Sequence, residues 1–450
     1  MGNYQGYQKY QDSGVEWLGD IPEHWEVKHL KNVASITRGA ILRPVNDPSY
    51  FDENGEWLYL NISDVTKCEK FLYTAELKLS DIGSKKSARV LENNLILTAS
   101  ATIGIPIINK VKVCIHDGFI AFKEIKTNLF FLYYVLLNKS IYSAMGKTNT
   151  QKNIYLDEVK IVKIGFPPLD EQEKIAQFLD YKTKQIDELI KKKETLIEKL
   201  DEKRTAIISH AVTKGLDSSV PMKDSGIEWL GNIPEHWKVK RFKFLLSQAF
   251  KYGANEAAEI DDPNLPRYIR ITDVKDDGNL RDDTFRSLPE EIAKDYILEE
   301  GDILLARSGA TVGKTFIYRK SWGKAAYAGY LIRARVSGQN NSDFIYKFLQ
   351  SKFYFDWVKS IFIQATIQNI SAEKYSNLFI PVPLIYEQKQ IAEYLDQKTT
   401  QIDQQKAKIK EAIELLKEYR TSLITNAVTG KIDVSQIAIP SPQKPQPQKG

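Results

Sequence analysis

The sequence predicts an α+β protein built twice: two similar mixed α/β domains separated by two long helices that form an antiparallel coiled coil, a pseudo-two-fold internal repeat. Three observations predict it. A polar, proline-free stretch at 170–214 returns at 386–430, with Glu171-Gln172, Ile175-Ala176, Ile186-Asp187 and Ala211-Val212-Thr213 answered by Glu387-Gln388, Ile391-Ala392, Ile402-Asp403 and Ala427-Val428-Thr429. The phrase from Asp12 to Trp25 returns from Asp224 to Trp237 with two conservative changes. Between these anchors the bodies share short motifs in one order: Tyr59–Val65 answers Tyr268–Val274, Leu91–Ala99 answers Leu298–Ala306, and Asn153-Ile154 answers Asn369-Ile370. A repeat this literal is read before anything else.

Taken in order, residues 1–11 are expected to be a flexible tail and 12–169 the first domain. Residues 170–214 form the central helix, 215–223 a linker, 224–385 the second domain, 386–430 the C-terminal helix and 431–450 a disordered Pro/Gln-rich tail. Within each body, period-two strands such as Val111, Val113 and Ile115 are broken by Gly turns. One apolar helix follows, near Leu129–Met145 and near Asp343–Ile363, then a last strand leading into the Pro-rich start of the long helix.

The long stretches carry apolar residues on a heptad grid: Ile175, Leu179, Ile186, Leu189, Leu196, Leu200 and Ile207, then Ile391, Leu395, Ile402, Ile409, Leu416 and Leu423. That spacing puts one stripe along a helix of about forty residues, or ~60 Å. Lys193, Lys203 and Gln405 interrupt the stripes. Asp170 is placed as N-cap with Glu173 completing a capping box, whereas Tyr386 stands at that cap in the second copy. Two equivalent stripes most simply bury each other; the alternative is that each packs on its own neighbouring domain.

Composition narrows the function. At 450 residues the chain is too long for one ordinary domain. No apolar run reaches the ~18 residues of a membrane span, and the first residues carry no signal core. Two cysteines without CxxC or Cys/His spacing, Cys68 and Cys114, point to a reducing cytoplasm and no structural zinc. A net charge of +5 permits a nucleic-acid partner without demanding one. The turn Gly309–Thr315 resembles a phosphate loop, but residue 308 is Ser where Gly is required, and a strand, not a helix, follows. Asp117, Glu124 and Lys126 loosely resemble a nuclease set that the second body lacks. No HExxH or GxSxG is present, so the chain is read as having no chemistry of its own and no metal site.

Positions alike in both bodies are mostly apolar, Gly, Pro or capping types, as a shared scaffold needs, while the differences gather in polar loops. Asn61 stands where the second body has Arg270, and Ser100, followed by Thr102, where it has Arg307. Asn149, Gln151 and Lys152 face Gln364, Thr366 and Gln368. Lys85, Lys86 and Arg89 belong to the first body alone; Arg281, Arg286, Lys314, Arg319 and Lys324 belong to the second. Arg reads guanine, and Asn or Gln reads adenine, through paired hydrogen bonds, while Lys holds phosphates. Similar frames with different polar loops suit a reader of two different DNA half-sites. The competing reading is a coiled-coil interaction scaffold without DNA specificity.

The ExWLGxIPxHW openings, the RSGATVGK turn and the EQxxIAx(F/Y)LD helix starts, repeated in tandem, resemble the specificity subunit of type I restriction–modification enzymes. The resemblance implies two target recognition domains reading a bipartite double-stranded DNA target. It implies a non-catalytic subunit that docks two modification methyltransferase subunits and motor-nuclease restriction subunits. S-adenosylmethionine, ATP and Mg would belong to those partners, with no cofactor in this chain. Residues 12–165 would read one half-site and 224–381 the other, and Ser100 in place of the turn's Arg marks a departure in the first body.

Overall fold

A computed structural model of the chain describes residues 4–44, 47–142, 153–275, 278–309, 312–363, 369–435 and 437–439. It divides into two compact units, Met1–Lys193 with Glu411–Gly450, and Glu194–Lys410. Each unit is therefore one mixed α/β head plus one end of each long helix. No helix among the described residues is long and apolar enough to cross a membrane.

In the first head a five-stranded sheet runs in the order Ser35–Arg38, Phe119–Lys123, Leu95–Thr98, Pro106–Asn109, Phe71–Leu72, antiparallel except for the last pair. Its three central strands are buried on both faces. One face meets the aromatic helix Leu129–Leu137 and the long helix; the other meets a second sheet, Leu77–Leu79, Trp57–Leu60, Val113–Ile115, Ala88–Val90. The second head repeats the plan with fewer strands: Lys251–Tyr252, Leu331–Ala334, Ile303–Ala306, Thr315–Ile317, beside the parallel pair Arg267–Ile269 and Ala325–Tyr327. The helix expected near 343–363 is two helices, Ser342–Phe348 and Lys352–Ile363. Ser351 breaks it: its hydroxyl accepts from the Tyr354 N–H and so caps a fresh helix start. Met145, at the end of the corresponding expectation in the first body, lies outside the described residues.

The long helices span Leu169–Lys214 and Ile385–Val428. The first begins one residue before the expected cap: the Pro168 carbonyl already accepts from the Glu171 and Gln172 amides, so Asp170 sits inside the first turn. Their apolar stripes do two jobs. Ile175, Leu179 and Ile186 are buried among first-head residues and also among Leu423, Ile424, Ala427 and Val428 from the far end of the second helix. In the other unit Ile391 and Leu395 are buried in the second head's core beside Ile208, Ala211 and Val212, with Ile207 partly buried against it. Ile402 is buried as well, while Leu200, Ile409 and Leu416 are only half-buried. Leu189 and Leu196 stand 42% and 45% exposed, so these two heptad leucines do not form a dry seam. The stripes do bury each other as expected, and they are driest where a head also covers them.

Ion pairs fix the helix direction. In one unit Arg420 meets Asp187 at 2.9 Å; in the other Lys406 pairs with Asp201, and Arg204 lies 3.7 Å from Asp403. Numbers fall on one helix as they rise on the other, so the helices run antiparallel.

Neither tail is free where it is described. Tyr4 packs edge-on against Phe178 at 5.4 Å, Tyr7 donates to Glu171, and Tyr10–Asp12 pairs antiparallel with Asp20–Pro22. At the other end Ile432 and Val434 are buried, and the Asp433 amide donates to the Gln5 carbonyl at 2.8 Å. The apolar residues among the polar ones, three tyrosines at one end and Ile432, Val434, Ile437 and Ile439 at the other, anchor what was expected to be disordered.

Candidate nucleic-acid interface

The literal repeat is the joint between head and helix. Glu171 accepts from the Trp25 indole N–H at 3.0 Å and lies 2.8 Å from His24 Nε2; Glu387 does the same for Trp237 and His236 at 3.0 and 2.9 Å. The neighbouring glutamines are buried. Gln172 Oε1 accepts from the Asn128 amide at 2.9 Å while its Nε2 donates to the Pro167 carbonyl; Gln388 repeats both contacts with Asn341, at 2.7 Å, and Pro383. Asn128 and Asn341 are themselves N-caps of the head helices. Two turns further on, Asp180 accepts from Tyr134 and Asp396 pairs with Lys347, both at 2.6 Å. Buried, hydrogen-bonded polar groups tolerate little change, which is why this part of the repeat is literal while the heads diverge. Both members of each pair recur in the repeated segments, but their pairing across about 150 residues is not legible in the sequence.

Among the described residues, most of the candidate DNA contacts are engaged within the protein. Arg270 is folded down: its guanidinium holds Asp273, only 1% exposed, through two bonds of 3.0 and 2.7 Å, and reaches the Thr284 carbonyl at 2.6 Å. Asn61, at the equivalent turn, donates its amide to Asp64 at 2.9 Å. Lys85 pairs with Asp81, Lys86 donates to the Tyr50 hydroxyl, and Arg89 holds Ser84 and lies over Trp57. Arg286 is bonded to the Ala258 and Phe285 carbonyls, Arg319 to Glu300 and Asp343, and Lys324 to Glu290. Thr102, Arg281 and Lys314 are exposed, and Ser100 is half-buried. Asn149, Gln151, Lys152, Gln364, Thr366 and Gln368 lie outside the described residues. Among the described residues no three His, Cys, Asp or Glu side chains gather as metal ligands.

Arg307 differs from these. Its guanidinium lies 4.8 Å from the centre of the Tyr252 ring, and no carboxylate among the described residues pairs with it. Its Nε is buried without a hydrogen-bond partner among the described residues, as is the Oδ1 of Asn369, whose backbone bridges to the next residue, Ser308. Tyr330, 65% exposed, supplies the carbonyl that accepts the Arg307 amide at 3.0 Å. A cation stacked on an aromatic face and left un-neutralised is held ready for an acceptor from outside the chain.

The ladders correct the expected pairing of Ser100 with Arg307. In the first head the Ala99 amide donates to the Gly118 carbonyl and the Ala99 carbonyl accepts from Ile154; in the second, Arg307 makes the same two bonds with Tyr330 and Ile370. Thr98 opposes Phe119 as Ala306 opposes Leu331. Ala99 therefore occupies the place of Arg307, and Ser100 that of Ser308. An extra residue, Glu299 or Glu300, ahead of the second head's strand shifts a pairing made from letters alone.

The type I restriction modification DNA specificity domain matches the chain twice, over residues 22–199 and 234–415. The chain belongs to that family. As a specificity subunit it selects DNA and is not the catalytic component. It is 26% identical over 438 residues to the MjaVIII specificity subunit of Methanocaldococcus jannaschii, covering 93% of this chain and 95% of that protein. It is 29% identical over 213 residues to the EcoKI specificity subunit of Escherichia coli, covering 45% and 44%. Its fold is that of a chain from a type I R-M system solved for its complex assembly and conformational transition, with a TM-score of 0.68 at 16% identity over 91% of this chain and 98% of that one. The HsdS subunit from Thermoanaerobacter tengcongensis follows, with a TM-score of 0.51 at 17% identity over 92% and 98%.

Proposed function

We propose that this specificity subunit works in the cytoplasm and reads a split double-stranded DNA sequence, the first head on one half and the second on the other. Its long helices dock two modification methyltransferase subunits and set the unread gap. The partners bring S-adenosylmethionine, and the motor-nuclease subunits bring ATP and Mg chemistry; a target adenine flipped from each half-site is methylated in a modification subunit. The observation that carries this reading is that two heads with one joint present different side chains at one corner, Arg307 on Tyr252 in the second and Ala99 in the first. Among the described residues no carboxylate pairs with that guanidinium, which favours a DNA contact over a scaffold without DNA specificity.

Co-expression with the modification subunits, followed by mapping of methylated adenines, tests the reading. The expected result is a two-part motif with a fixed gap. A continuous motif, or methylation without sequence preference, would overturn it. Within that motif Arg307→Ala is expected to blur one half alone, by the roughly 1–3 kcal/mol of a paired guanidinium–base contact.

A further inference from the structure

The register that moves Arg307 onto Ala99 also aligns the strand next to it, and there the two heads exchange roles. Ser35–Arg38 runs beside Phe119–Lys123 with Arg38 opposite Ile120; Lys251–Tyr252 runs beside Leu331–Ala334 with Tyr252 opposite Ile332. Since Phe119 and Leu331 are equivalent, Ile120 and Ile332 are too, and Arg38 stands where the second head has Tyr252. The next residues confirm the match. The Gly39 amide donates to the Phe119 carbonyl and the Ala40 amide to that of Ile115; the Gly253 and Ala254 amides donate to those of Leu331 and Tyr327. A Cβ on either glycine would strike the carbonyl of the opposing turn, at 2.0 Å from His116 O and 2.3 Å from Ala328 O. Arg-Gly-Ala and Tyr-Gly-Ala are thus one structural position with one residue changed.

The second head therefore builds its corner from an arginine on the central strand and a tyrosine on the edge strand. The first builds it from an alanine on the central strand and an arginine on the edge strand. Like Arg307, Arg38 has no carboxylate partner among the described residues. Its Nε donates to the Asp117 carbonyl at 2.7 Å, which holds the side chain against the turn before Phe119. The terminal nitrogens of its guanidinium make no hydrogen bond among the described residues, and the chain is half-buried. Asp117 and His116, on the same turn, do not neutralise it. The His116 Nδ1 accepts from the Gly118 amide at 2.9 Å, and burial pushes the ring below the ordinary histidine value, so it is neutral at pH 7. Ala99 is fully buried in the first head's core and brings no polar group to the corner.

We propose that Arg38 is the first head's DNA-reading guanidinium, the functional counterpart of Arg307 delivered from the adjacent strand, and that it pairs with a base edge of the half-site that Arg307 does not touch. The inference rests on the reading of Arg307 given above. A fixed Nε and free terminal nitrogens suit a two-point contact to neighbouring acceptors such as guanine O6 and N7. Swapping which strand supplies the guanidinium shifts its reach along the groove, so related heads can read different positions without a change of fold.

Adenine-methylation motifs mapped for complexes of the full chain with its modification subunits test this. Arg38→Ala should lose discrimination at one base of one half-site, on the order of ten- to a hundred-fold, and leave the half altered by Arg307→Ala untouched. Arg38→Lys keeps charge and length but not the paired donors, so it should lose the same discrimination where alanine disturbs the fold. The double change Arg38→Tyr with Ala99→Arg rebuilds the second head's corner and should restore a specified base that Arg38→Tyr alone loses. If Arg307→Ala blurs its half while Arg38→Ala and Arg38→Lys leave the motif intact, or blur the same half, the counterpart role is wrong. If Arg307→Ala has no effect on either half, the reading of the corner as a DNA contact fails with it.

Discussion

Arg270 and Arg307 look alike in the sequence, each a basic residue at a turn where the first body has something else, and the structure gives them different surroundings, a buried carboxylate for Arg270 and a tyrosine ring for Arg307. Arg270 pairs with a buried carboxylate; removing its side chain leaves Asp273 buried with only the residue 270 backbone amide, at 2.8 Å, as a donor. Arg270→Ala is therefore expected to destabilise the chain by about 2–3 kcal/mol, the scale for stranding a charged hydrogen-bonded group in a protein. At a temperature where the variant is folded it should leave the methylation motif unchanged. A urea titration of the full chain reads the first outcome and motif mapping the second; a blurred motif with undiminished stability would reverse the assignment. Lys324 and Arg319 fall on the same side, since both are already paired with carboxylates. A basic letter reports charge, whereas whether that charge is spent inside the fold depends on a carboxylate far away in sequence.

At the level of elements, the joint is what the sequence made most legible. Its residues recur because Gln388 and Gln172 each satisfy a helix N-cap amide and a proline carbonyl in places water does not reach. Gln388→Ala leaves the Asn341 amide and the Pro383 carbonyl unpaired, which should cost about 2–4 kcal/mol. Loss of less than about half a kilocalorie in denaturant unfolding would mean that the joint is not what ties head to helix. Strand existence, the two long helices and their antiparallel sense could be read from periodicity and repetition. The register of the divergent heads could not, because one added residue ahead of Ile303 shifts the alignment and only ladder partners fix it. That is why Arg38 escaped notice: Ile36–Ala40 and Phe250–Ala254 share only Gly-Ala, too little to align by letters. The anchored tails escaped for another reason. Three or four apolar residues in a polar stretch suffice to dock a segment when a groove is waiting, and the groove is not local to them.

For the molecule as a whole, the question is how two heads on one chain come to demand a fixed gap in DNA. Each unit holds one end of both long helices, and the unit boundary falls between Lys193 and Glu194 on one helix and between Lys410 and Glu411 on the other. Asp187 with Arg420 and Asp201 with Lys406 hold the register on either side of those points. Such exposed pairs are worth about 0–1 kcal/mol each, so they set alignment more than strength. An insertion in one helix alone would pull one set of pairs apart, and a test of the helices as a ruler must lengthen both. Four residues placed after Lys193 and four after Lys410 add about 6 Å of rise and just over one turn, so the apolar stripes return to within about 40° of their original faces. With a B-DNA rise of about 3.4 Å per base pair, the mapped motif should keep both halves and gain one or two base pairs between them. Two residues in each helix add half the length but turn the stripes through about 200°. Because both insertions fall at the unit boundary, Ile175 and Leu179 would keep Leu423, and Ile391 and Leu395 would keep Ile207, but one head would be turned through that angle against the other and methylation should be lost altogether. An unchanged gap with four residues, or a working complex with two, would show that the spacing is set by the partner subunits and not by these helices.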